Sequence, residues 1–294
     1  MAENDSALDC FSDTWCNLSW TSWISFATAG RRMDVIPDET GLYRIRSVGG
    51  NGLMCIGETA QSLRRTLAEV LQNTLKTQMP WNDPQPVATA LWAWKDAKGY
   101  AFEFSASPAK DRAEREAVKS YLLYHYRQKN RESPSCNFGR FHRKYLRSSD
   151  EKQGIRGGKL SPNDPPNAAG GPSASPLVPT GAPGDASWMG LAWSPKRELK
   201  THTTAVVPAA PGFYLLCDMG PDGNILAIGH AVNCSKALFD ISKNPRDGKD
   251  LAYSFYCDKR ILSDHNLREI ENDLIGNYIE TYQRAPEYQF RDTG

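Results

Sequence analysis

The stretch from Lys110 to Lys159 holds 14 Lys or Arg against 6 Asp or Glu, in a 294-residue chain whose formal net charge is only +1. Any polyanion site is therefore a local patch rather than a property of the whole surface. Within that stretch Arg140, His142, Arg143 and Lys144 read as phosphate contacts. A histidine set among cations is electrostatically poor as a metal ligand, so His142 belongs with the phosphate contacts. Trp81, Trp92 and Trp94 precede the patch and offer faces on which bases could stack. On charge alone, a solvated surface explains the same cations equally well. Seven cysteines, odd in number and without a CxxC pair, suggest neither a disulfide framework nor a zinc site.

The elements that must position such groups are legible around Gly41 to Leu67. That stretch reads as a strand, a turn rich in glycine (Gly49, Gly50, Gly52), a second strand, and a helix with Leu63, Leu67, Val70 and Leu71 at helical spacing. The same landmarks return later in the chain. Trp15 recurs as Trp188 after 173 residues, Gly41 as Gly212 after 171, and the pair Ile56-Gly57 as Ile228-Gly229 after 172. Offsets that agree within two residues mark an internal repeat. Further strands are expected at 100–104 and 251–255, and closing helices at 111–130 and 265–283. The recurring tryptophans Trp15, Trp20, Trp188 and Trp193 are expected to close the core of each half. Residues 148–186 contain seven Pro and seven Gly and almost no large apolar side chain, so a flexible linker is expected there. The chain is thus expected to be α/β, with units at 1–147 and 187–294 about that linker.

The Gly41-Leu42-Tyr43 triplet, followed by Cys55-Ile56-Gly57 and a helix, resembles the GIY-YIG nuclease module. The resemblance implies two tandem units, each a small, mostly antiparallel three-stranded sheet flanked by helices. It also implies divalent-metal-dependent hydrolysis of phosphodiester bonds in DNA, with RNA left open as a substrate. In such a site strand tyrosines handle the water, a helix arginine stabilises phosphate charge, a helix glutamate holds one Mg²⁺ or Mn²⁺, and an asparagine joins them. Carried onto this chain, the resemblance gives Tyr43 as base, Arg64 or Arg65 as the arginine, Glu116 as the metal ligand with Glu114 behind it, and Asn137. The chain departs from the pattern at Cys55, Thr66 and Lys119.

The second half keeps Tyr214 and Glu271 but has Ala227, Ala237 and Gln289 at the other positions, with Lys236 beside Ala237. It reads as a degenerate copy that supports the first half or positions DNA. The rival reading is a catalytically inactive nucleic-acid-binding or interaction protein on the same scaffold. The polar, acidic start of the sequence and the lack of a long apolar run lead us to expect a cytoplasmic chain with no membrane partner.

Overall fold

The computed structural model describes residues 9–220, 223–244, 248–260 and 263–291, apart from the Arg31 side chain. It divides into two compact units, Met1–Pro172 and Ser173–Gly294.

The first unit is built on β1 (Ile24–Ser25), β2 (Gly41–Ser47), β3 (Leu53–Thr59), α1 (Leu63–Thr74), α2 (Pro86–Lys98), β4 (Phe102–Pro108), α3 (Arg112–Asn130) and a small ribbon of β5 (Tyr145–Leu146) and β6 (Gly158–Lys159). Its antiparallel sheet has the order β1-β4-β2-β3. Side chains alternate across a strand. Tyr43, Ile45 and Cys55 accordingly pack with Leu63, Leu67 and Val70 of α1, while Leu42 and Ile56 pack with Leu122 and Leu123 of α3 and with Trp15 and Trp20. Helix α1 starts where Ser62 accepts from the Arg65 amide, and it buries positions 63, 66, 67, 70, 71 and 74, the single stripe expected of a helix lying on a sheet. Helix α3 is capped by Asp111 and ends at Arg131, in the left-handed region at φ 62°.

The second unit contains β7 (Arg197–Glu198), β8 (Gly212–Asp218), β9 (Ile225–Ala231), α4 (Cys234–Lys243), β10 (Leu251–Cys257) and α5 (Asp264–Tyr282). Its sheet order, β7-β10-β8-β9, matches that of the first. The correspondence reaches local irregularities. A register shift falls between Ile45 and Arg46 in one sheet and between Leu216 and Cys217 in the other. Trp15 and Trp20 stack with ring centres 6.0 Å apart, as do Trp188 and Trp193, and in each pair the second indole donates to the carbonyl of the first at 3.1 Å. These tryptophans are buried, as their recurrence suggested.

The structure differs from the sequence-based expectation in two respects. Each sheet has four strands rather than three, because two-residue strands, too short to leave a sequence pattern, pair with β4 and β10. The segment 148–186 is not a free tether. The boundary between units falls inside it, and its first part folds on the first unit, where Asn167 donates to the Tyr145 carbonyl at 2.8 Å and the Phe141 amide to that of Ala169 at 3.0 Å. In the second unit Glu269 and Asp273, both fully buried and one turn apart on α5, accept from the Ala174 amide at 2.7 Å and the Leu177 amide at 3.0 Å. Apolar composition is silent about such polar anchoring, which supplies charge-assisted bonds where hydrophobic burial is scarce.

Candidate functional site

The geometry begins with a phenol lying on a glycine. Tyr43 stands opposite Gly57 across β2 and β3, and a Cβ on Gly57 would come within 2.2 Å of the tyrosine ring. Tyr214 lies over Gly229 in the same way, at 2.3 Å. The Ile-Gly pair is thus explained by packing: the ring occupies the space a side chain would need, and it leans out over the outermost strand. Tyr43 is buried, and burial, followed by the nearby Cys55 and Glu58, pushes its phenol well above the usual range. Tyr214 is only half-buried. Its phenol is pushed up to about 12, chiefly by burial and then by Glu271 and Cys234.

At the residue after the glycine, whose side chain turns to the other face of the strand, the two units carry opposite charge arrangements. In the first, Glu58 of β3 meets Arg115 of α3 at 3.1 Å, and Arg115 is only 3% exposed and donates as well to the Lys110 carbonyl. Lys119 lies one turn further along α3; burial pushes the Cys55 thiol up to about 12, and the lysine charge pulls it down. In the second, His230 of β9 meets Glu271 of α5, with Nδ1 2.8 Å from Oε2 and exposures of 23% and 21%. The two atoms are close but not aligned for a hydrogen bond, which leaves Nδ1 without a hydrogen-bond partner. Strand anion and helix cation have become strand imidazole and helix carboxylate.

The residues expected to form a catalytic set in the first unit are not all brought together. Arg64 donates to the carbonyls of Ile36 at 2.9 Å and Asp34 at 3.2 Å and so holds the preceding loop. Arg65 is exposed and pairs with Glu69 at 3.0 Å, while Thr66 is buried and bonded to Thr59. Glu116 pairs with Arg112 at 3.3 Å. The residue of α3 that turns to the sheet is Arg115 instead, because one residue along a helix is a rotation of about 100°. Glu114, in the first turn of α3, is exposed.

Asn137 does reach the sheet, and its amide is fully used there. Its Oδ1 accepts from the Ile56 amide at 2.9 Å and its Nδ2 donates to the Ile56 carbonyl at 2.7 Å, so the side chain pairs with β3 as a peptide would. Gln289 does the same to Ile228, at 2.8 and 3.0 Å. The residue before each donates to the strand two positions back, Cys136 to Met54 at 2.8 Å and Tyr288 to Leu226 at 2.7 Å.

The basic patch is largely spent on structure. Arg140 donates to the Ser133 carbonyl at 2.9 Å, Arg147 covers the Phe141 ring, and Arg156 covers Trp81 at 3.9 Å. His142, expected on the surface, is 6% exposed and packs edge-on against Trp94 and Tyr145; burial, then Lys98, Lys144 and Arg143, lowers its pKa. Of the four expected phosphate contacts, Arg143 and Lys144 are exposed. Trp92 is buried, with its indole donating to Lys76, and Trp94 stacks on Tyr100, so neither offers a free face for a base.

Glu58, Arg115 and His230 were not singled out by sequence reasoning. The available signal was position: Glu58 and His230 each follow the Ile-Gly pair directly. The described residues include no group of three or more His, Cys, Asp or Glu placed to hold a metal ion, and none of their helices is long and apolar enough to cross a membrane. No family model, curated protein or solved structure matches this chain.

Proposed function

We propose that this protein is a divalent-metal-dependent phosphodiesterase acting on DNA, built on a GIY-YIG-like scaffold, with its hydrolytic site in the second unit. The observation that carries this reading is the contact between His230 and Glu271, one residue along β9 from the glycine that Tyr214 overlies. Glu116 is poorly suited to hold a cation, since the Arg112 guanidinium already occupies its carboxylate. Glu271 and His230 suit one better. Oε2 and Nδ1 stand 2.8 Å apart, and Nδ1 has no hydrogen-bond partner. Glu271 Oε2 would hold Mg²⁺ or Mn²⁺, with His230 Nδ1 joining it for Mn²⁺, and the ion would supply charge stabilisation and an acidified water.

Tyr214, with its phenol near 12, stays protonated at neutral pH. Removing that proton at pH 7 would cost about 7 kcal/mol, so the phenol serves as a hydrogen-bond donor toward a phosphate oxygen rather than as the base. In the first unit α3 offers Arg115, and the Glu58 carboxylate that meets it is neutralised. That arrangement suits contact with phosphate without cleavage.

The rival reading, a binding or interaction protein that has lost the chemistry, is favoured by Ala227 and Ala237 and by Lys236, which pairs with Asp240 at 2.6 Å. Conversion of supercoiled plasmid with Mg²⁺ or Mn²⁺ separates the two. Nicking by the intact protein and by Glu116→Ala, with loss in Glu271→Gln and His230→Ala, is the expected result. Loss with Glu116→Ala alone would return the site to the first unit. Salt-sensitive DNA binding without nicking by the intact protein would establish the rival.

A further inference from the structure

Cys234 is the first residue of α4 and fully buried; Cys257 is the last residue of β10 and half-buried. Both thiols are free, and Cys257 packs against the apolar cluster that contains Cys234. The backbone holds them in place from two sides. The Cys234 amide donates to the Ala210 carbonyl at 3.0 Å, and Cys257 lies opposite Gly212 in the β8–β10 ladder. Gly212 leaves room for this approach, since a Cβ there would stand 2.8 Å from Cys257 Cα.

The first unit supplies a built-in comparison. Leu63 begins α1, its amide donates to the Glu39 carbonyl at 2.8 Å, and Pro108 lies opposite Gly41. A Cβ on Gly41 would stand 2.7 Å from Leu63 Cδ1 and 2.9 Å from Pro108 Cα, so the same two positions there flank the glycine with apolar residues. In the second unit both of these positions are cysteines. Sulfur at one position alone would be an ordinary core substitution. Sulfur at both, in mutual contact, makes a dithiol.

We propose that Cys234 and Cys257 are an oxidative modification site that closes to a disulfide when the protein meets a peroxide. Cys257 is the more accessible of the two and its pKa is lowered by the neighbouring Cys234, which makes it the nucleophile. The Cys257 thiolate attacks one peroxide oxygen, the O–O bond breaks, and hydroxide leaves to give a sulfenic acid. The Cys234 sulfur then attacks that sulfur as its thiol proton departs, and water leaves with the second oxygen. Two thiols and one hydrogen peroxide thus become one disulfide and two waters. The bridge ties the start of α4 to the end of β10, on the helix beside Tyr214, and it does not depend on the reading of the second unit as hydrolytic.

The test treats the purified full chain with hydrogen peroxide and maps its peptides without reduction. The expected outcome is a cross-linked pair containing Cys234 and Cys257, lighter by two hydrogens, lost on adding dithiothreitol, with both residues protected from alkylation. Cys234→Ser should leave a Cys257 sulfenic acid that a cyclic dione traps, and Cys257→Ser should lose the reaction at this locus. A Cys257 that oxidises in the intact protein without linking to Cys234, or a Cys234 that links first to another cysteine, would overturn the proposal. Because the decisive mapping is done on the unaltered chain, misfolding of a variant does not blur the result.

Discussion

Asn137→Ala separates a structural from a catalytic asparagine. The change removes two side-chain bonds to the Ile56 peptide, at 2.9 and 2.7 Å, and leaves that peptide's N–H and C=O unpaired beside a residue that is 1% exposed. Two neutral hydrogen bonds contribute about 2 kcal/mol, and incomplete access of water to the orphaned groups raises the cost to roughly 2–4 kcal/mol. For a unit of this size that is a fall in Tm of about 4–16 °C. Six of the eight tryptophans (15, 20, 23, 81, 92 and 94) lie in the first unit, so thermal or urea unfolding followed by indole fluorescence reports mainly on it. Gln289→Ala is the matched control, because it removes the same pairing with Ile228 from the second unit. A loss below about 0.5 kcal/mol in Asn137→Ala, within the range of ordinary surface changes, would refute the peptide-pairing argument. A large fall in plasmid cleavage at unchanged stability would return Asn137 to the chemistry.

Three further outcomes follow from the contacts within the two sheets. Gly57→Ala and Gly229→Ala force a methyl against a tyrosine ring at 2.2 and 2.3 Å, and overpacking of this kind should cost about 1–3 kcal/mol in denaturant unfolding; a neutral result would mean the ring moves freely. Glu58→Gln strips the buried Arg115 of its counter-ion and should destabilise by about 3 kcal/mol, most of it recovered in the double variant Glu58→Gln, Arg115→Met; a single variant no less stable than the double would deny the pairing. Alkali should destabilise the second unit: Tyr214 ionises near 12 when folded but near 10 when unfolded, so the unfolded chain holds fewer protons between those values. The stabilisation is complete below pH 10 and declines by about 1.4 kcal/mol per pH unit above it, and Tyr214→Phe should flatten that part of the pH–stability profile.

What could be read from residues alone was whatever repeats or alternates. The Gly-x-Tyr triplets and Ile-Gly pairs predict β2, β3, β8 and β9 because ring and glycine face each other across a ladder. Helices α3 and α5 begin and end within about a residue of the expected bounds. Helical phase was harder. Whether an acid or a base takes the sheet side of α3 depends on a single residue step, and the chain has Arg115 there with Glu116 turned away. Charge counting failed for a different reason. Guanidinium groups carry five donors, and Arg127, Arg140 and Arg156 use theirs on hydroxyls and carbonyls between Met79 and Gly171, so a cation-rich sequence became an internally bonded loop rather than an open face. Segment 148–186 was misread because its anchors, Glu269 and Asp273, lie about a hundred residues away.

The pairing of Asn137 and Gln289 with backbone also bears on how the protein behaves in company. β3 and β9 are the outermost strands of their sheets, and an outermost strand with bare amides and carbonyls invites another chain to extend the sheet. Here the amides and carbonyls of Ile56 and Ile228 and the carbonyls of Met54 and Leu226 are already taken by the chain's own closing segments. The amide side chain acts as a plug, one residue long, that resists intermolecular strand addition. Asn137→Ala and Gln289→Ala would then lower solubility as well as stability.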